Sequence, residues 1–150
     1  MTVYEQISAD LKEAMKAGDA FRRDVVRLMQ SAIKNVAIDK RVTPAEMDDD
    51  SVLEVLKRLV KQRKDSIEQY LAGGREDLAA TEQQELEVIA AYLPAEMDDA
   101  TLKQVVTDAL AAAGFSQKSD MGKAMGAAMQ AVAGKASGDR VKQIVGDILV

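Results

Sequence analysis

The chain has 150 residues, 47% hydrophobic and 30% charged, the balance of a folded protein rather than a disordered one. Histidine and cysteine are both absent, which excludes a Ser-His-Asp or Cys-His nucleophile, a disulfide framework and the commonest transition-metal ligands. The net charge of −5 argues against a strongly basic nucleic-acid coat, and 3% aromatics without Trp leave the core to Leu, Ile, Val, Ala and Met.

Helical signals run from the first residues. Thr2 and Glu5 have the spacing of a capping box, and Tyr4, Ile7, Leu11 and Met15 recur at helical spacing behind them. Gly18 stops that helix and Asp19 caps the next. Phe21, Val25, Leu28, Met29, Ala32 and Val36 then predict an apolar stripe to about residue 38. Thr43, Pro44 and Glu46 supply a cap, a first-turn proline and a capping-box glutamate for a short turn. Asp48, Asp49 and Asp50 are read as caps and dipole partners of a long third helix rather than as a hard-metal site. That helix turns Val52, Leu56, Leu59, Val60, Ile67 and Leu71 inward and ends at Gly73-Gly74. A fourth carries Leu78, Leu86, Ile89 and Leu93 up to Pro94.

Beyond Pro94 the pattern predicts three shorter helices, at about 99 to 113, 120 to 133 and 139 to 149. They follow Asp98, Asp120 and Asp139, and the first two close at Gly114 and Gly134. No stretch alternates with period 2. The expected fold is all-α: a bundle of about four helices over 1-94, followed by a separate three-helix domain over 95-150.

The stretch SDMGKAMGAAMQAVAGK (119 to 135) poses the sharpest question. Gly122-Lys123 lacks the earlier glycine, the following Ser/Thr and the preceding strand of a phosphate loop. Gly122 and Gly126 share a helix face and predict close approach by a neighbouring helix. Met121, Met125, Ala128, Met129 and Val132 form the adjoining apolar stripe, with a Met-rich docking face as the alternative.

DMGKAMGAAM, followed by GKASGDRVKQIV, resembles the C-terminal signature of the YqeY family. The likeness extends through LKEAMKAGDAFRRDVVRLMQSAIKN (11 to 35) and KQRKDSIEQYLAGGREDLAATEQQELEVIAAYLP (61 to 94), in the family's order and spacing. A related module forms the tail of GatB, the B subunit of the tRNA-dependent amidotransferase, where it helps hold the tRNA body. The resemblance therefore implies tRNA as a partner. It does not carry over the carbon–nitrogen ligase chemistry with glutamine as amido-N-donor, because the B subunit's catalytic domain has no counterpart here. The expected function is binding without intrinsic catalysis; a protein-interaction adaptor without RNA contact is the alternative.

Two basic surfaces compete for an RNA backbone. Lys123, Lys135, Arg140 and Lys142 are expected around the GKASGDR helix junction, where backbone N–H groups at a helix start favour phosphate. The rival comprises Arg23, Arg27 and Lys34, in line with Gln30 on the second helix, and Lys57, Lys61 and Lys64 on the third, with Arg58 and Arg63 nearby. Glu54, Asp65 and Glu68 offset the latter group. Tyr4, Phe21, Tyr70, Tyr92 and Phe115 are expected in core positions, which disfavours base stacking. Glu82, Glu85 and Glu87 read as an exposed acidic face. No catalytic residue, metal ligand or cofactor is expected. No apolar run approaches a membrane span and no signal-peptide segment opens the chain, so the expected setting is cytoplasmic, without a membrane partner.

Overall fold

Side-chain caps decide where the helices start. Glu5 N–H donates to Thr2 Oγ1 at 3.1 Å while Thr2 N–H donates to Glu5 Oε2 at 2.9 Å, opening α1 (Val3–Ala17). Gly18 ends it in the left-handed conformation at φ 69°, and Asp19 accepts from Arg22 N–H to open α2 (Ala20–Lys40). Arg41 takes the same left-handed role at φ 58° without being glycine. A short 3₁₀ turn at Pro44–Glu46 precedes α3 (Asp49–Ala72), which Asp48 caps by accepting from Ser51 N–H at 2.7 Å. Then come α4 (Glu76–Ala90), α5 (Asp99–Ala113), α6 (Met121–Val132) and α7 (Gly138–Ile148). The computed structural model describes residues 1–150 and contains no strand. The fold is all-α.

Capping in the last two helices differs from the sequence expectation. Ser137, not Asp139, caps α7: its Oγ accepts from Arg140 N–H, and Asp139 sits in the first turn. Asp120 spends its carboxylate on Gln117 N–H and makes no side-chain cap for α6.

The chain divides into two compact units, Met1–Leu93 and Pro94–Val150, each with its own core. In the first, α3 packs chiefly on α4 and α1 on α2. Ile7, Val26, Met29, Ile33, Val52, Leu56 and Ile89 are fully buried at its centre. Burial of such side chains contributes about 1.5–3 kcal/mol each before entropy is charged against it. In the second, α5, α6 and α7 enclose Leu102, Val106, Leu110, Ala124, Ala128, Val132, Val141 and Val145. α6 and α7 run antiparallel, since Met121 at the start of α6 lies 3.9 Å from where a Cβ on Gly146 would stand.

Five residues of the expected apolar stripes are exposed: Met15, Phe21, Leu28, Leu71 and Met129, the last beside buried Ala128. Helical geometry explains each, because one residue turns the chain by about 100°. Ala14 takes the inward position on α1, so Met15 points aside. Tyr70 lies five turns after Val52 on the same line, which carries Leu71 outward. On α2 the core face is Val26, Met29, Ile33 and Ala37, so Phe21 and Leu28 fall on the far side of Val25. Phe21 therefore leaves the set of core aromatics, whereas Tyr4, Tyr92 and Phe115 pack against the two cores.

The glycine expectation also fails. Gly122 and Gly126 face solvent, and a Cβ on either would meet nothing within 4 Å. The buried small residues of α6 are Ala124, Ala128 and Val132, on the opposite side.

Candidate nucleic-acid-binding surfaces

The α6–α7 connection is built from two left-handed residues, Ala133 and Gly134, followed by Lys135, buried Ala136 and the cap Ser137. It is pinned from outside, because Met97 N–H donates to Lys135 O at 2.8 Å. Arg140 completes the clasp. Its Nη2 donates to Met97 O at 2.9 Å and to Asp99 Oδ1 at 2.8 Å, and Nη1 lies 3.6 Å from Glu96 Oε2. Two carboxylates and a carbonyl thus occupy the Arg140 guanidinium, which reduces what it can offer a phosphate.

The other three cations of this group carry no ion pair and are exposed. They are not gathered at one junction. Lys123 lies in the first turn of α6, about 14 Å along the axis from Val132 at its end, and Lys135 lies in the turn beyond. Lys142 sits one turn before Gly146 on α7, between those two levels. The three are spread over the α6–α7 pair, with Asp120, Asp139 and Asp147 as acidic neighbours on the same elements.

On the first unit, Lys57, Lys61 and Lys64 are exposed on α3, opposite its buried line Val52, Leu56 and Leu59. Glu54, Asp65 and Glu68 share that outer face and are exposed as well. Arg27 and Lys34 are exposed on α2, but Arg23 pairs with Asp24 at 2.9 Å. Gln30 turns toward α1, donating to Ser8 Oγ at 3.2 Å. The α2 line is therefore interrupted.

Arg63 is the residue the sequence reading misplaced. It is buried, 3.5 Å from Glu85, and its Nε has no hydrogen-bond partner. A signal was available: Val52, Leu56, Leu59 and Arg63 stand at i, i+4, i+7 and i+11, the register of the buried face. Glu85 is accordingly half-buried, as is Glu82, so of the expected exposed acidic row Glu87 alone is fully exposed. Asp10 accepts from the Tyr92 hydroxyl, and burial followed by this bond pushes the Tyr92 phenol up to about 12. The aspartates 48 to 50 act as helix-start groups: Asp48 caps α3 and Asp49 Oδ1 accepts from Val3 N–H at 2.9 Å. No group of three or more Asp or Glu side chains is placed to hold a metal ion.

A family profile described as "Yqey-like protein" matches residues 4–149, nearly the whole chain. The chain belongs to the YqeY family. Curated relatives are yeast proteins named "Altered inheritance of mitochondria protein 41, mitochondrial". The one from Vanderwaltozyma polyspora is 44% identical over 87 residues, 58% of this chain and 46% of the relative. That of Saccharomyces cerevisiae strain S288c is 41% identical over the same length, and that of Candida glabrata 38% over 96 residues, 52% of the relative. The chain spans about half the length of the curated relatives it matches. Their names place those proteins in mitochondria. No helix of this YqeY-family chain is long and apolar enough to cross a membrane.

Proposed function

We propose that this YqeY-family chain is a non-catalytic, cytoplasmic binding module that grips the backbone of tRNA along the α6–α7 pair. The observation that carries the reading is the set of three unpaired, exposed cations, Lys123, Lys135 and Lys142, spread along one helix pair. Cations spread in this way suit a phosphate backbone, which presents charge along its length and needs no base readout. The resemblance to the tail of the amidotransferase B subunit supports tRNA as the RNA. The α3 surface is the weaker competitor, because its carboxylates lie among its lysines.

The test is a titration with total tRNA at two salt concentrations. Three phosphate contacts give a logarithmic salt slope of about −2.7 on duplex RNA, a loss of about 40-fold between 50 and 200 mM salt. Replacing Lys123, Lys135 and Lys142 by Ala together should abolish that slope, and each single replacement should flatten it by about 0.9. Full, salt-sensitive binding by the triple variant overturns the site. Loss only in Lys57→Ala, Lys61→Ala, Lys64→Ala transfers it to α3. Absence of binding by the unaltered chain refutes the RNA reading, and a protein partner that stays bound after RNase treatment then favours the adaptor alternative.

A further inference from the structure

The α3–α4 hairpin outgrows the rest of the first unit. α1 sets out from the same end as α3, where Val3 N–H meets Asp49 Oδ1, and has 15 residues against 24 in α3. The start of α2 borders α3 and α4 only as far as Arg63 and Thr81. Beyond that level α3 runs on for about 14 Å to Ala72, turns at Gly73-Gly74 and returns as the start of α4. No side chain between Val60 and Leu86 belongs to the first core, and from Lys64 to Ala80 only Ala79 is buried. Ile67, Tyr70 and Leu78 are half-buried, and Leu71 is 54% exposed. Two helices alone cannot enclose an apolar stripe. The lower half of this hairpin is closed by α1 and α2, whereas nothing in the first unit closes the upper half, the arm.

Charge narrows what can cover the arm. Asp65, Glu68, Glu76, Asp77 and Glu82 are set against the cations Lys64 and Arg75, and Arg75 is already paired with Asp77 at 3.1 Å. Lys57 and Lys61 lie lower on α3, at the level of the covered half. α3 ends with no basic residue in its last turn, so its C-terminal carbonyls add negative potential at the tip. This field repels a nucleic-acid backbone, an anionic membrane and the arm of a second copy alike. It favours a polypeptide bearing Lys or Arg. Leu71 stands one turn after Ile67 on α3, with Glu68 beside them, so the missing element is apolar along one face and basic at its edge. We propose that the arm is a docking site for a basic amphipathic helix of a partner protein, laid against Ile67 and Leu71 with its cations over Glu68 and Glu76. The docked helix continues, beyond Arg63, the packing that α1 and α2 supply below it. This site is on the first unit and does not depend on the RNA reading.

The experiment is an NMR titration of the full ¹⁵N-labelled chain with the peptide Ac-LKKLLKLLKKLLKL-amide, whose leucines and lysines take opposite faces of a helix. Amide shifts should concentrate between Lys64 and Ala80. Leu71→Ser, a change at an exposed position, should weaken binding at least fivefold, and Glu68→Lys combined with Glu76→Lys at least tenfold, with the amide spectrum outside the arm unchanged. The same peptide with Glu in place of every Lys should leave the arm of the unaltered chain unmoved and bind the doubly reversed variant instead. Total tRNA should not shift the arm amides. An unmoved arm at saturating Lys peptide, shifts centred on another acidic surface, undiminished binding by Leu71→Ser, equal binding of the Glu peptide to the unaltered chain, or an arm response to tRNA would each overturn the assignment.

Discussion

Replacing Gly126 by Ala should stabilise the second unit. Gly126 stands in the interior of α6, with an ordinary right-handed backbone and open space where its Cβ would project. The added methyl meets nothing, so the effect reduces to helix propensity, about 0.5–1 kcal/mol in favour of Ala. For a unit as small as Pro94–Val150 that corresponds to a rise of about 2–8 °C in Tm. The opposite change one turn-face away supplies the control. Ala124 is fully buried on the same helix, so Ala124→Gly loses propensity and a buried methyl together, about 2 kcal/mol. Urea unfolding followed by the amide resonances of Val132 and Val141 reads the second unit alone. If Gly126→Ala leaves the midpoint unchanged or lowers it, Gly126 is held against a neighbour in the folded chain and the open-face reasoning fails.

Arg140→Met should lower the stability of the second unit by about 1–2 kcal/mol, because the Met97 carbonyl loses a charged donor while the exposed Asp99 pair contributes little; the same urea assay checks it. The Tyr92 phenol, held up to about 12 against an ordinary 10.0, favours the folded state below pH 10, and that contribution disappears as pH rises through 12. Absorbance titration should show one late phenolate step that Tyr92→Phe removes. The Ser51 hydroxyl and then its N–H hold the Asp48 carboxyl below the ordinary 3.8, and the Thr101 N–H and then its hydroxyl do the same for Asp98. Their stabilising contribution is complete above 3.8 and is lost as pH falls through the lowered values. Replacing either by Asn should therefore flatten the acid limb of the stability profile, and an unchanged limb would refute the linkage.

Helix count and order were legible because caps and glycines punctuate the chain locally: Thr2 with Glu5, Gly18, Asp48 and Gly114 need no tertiary information to be read. Which face of a helix turns inward was less legible wherever two apolar stripes coexist. On α2 the outer stripe of Phe21 and Leu28 competes with Val26, Met29 and Ile33, and only the packing of α1 and α3 against the latter decides between them. Charged residues posed the same difficulty in reverse. Arg63 and Arg140 look like members of basic surfaces by composition, yet each is held by carboxylates that lie 22 and more than 40 positions away in sequence. Long-range partners leave no local pattern. Lys123, Lys135 and Lys142 were expected around one helix junction, but their spread along α6 and α7 follows from helix rise rather than from sequence proximity.

The Arg140 clasp bears on where this protein can be cut. Secondary structure would suggest starting a C-terminal fragment at Asp98, the cap of α5. Such a fragment would shed Glu96 and Met97, and with them the N–H that holds Lys135 O and the carbonyl that holds Arg140. The portable piece begins earlier, at Pro94 or Ala95, in chain that belongs to no helix. Residues without secondary structure are here part of the folding unit, so an excised or transplanted version must carry its leading coil or lose the grip at the α6–α7 turn.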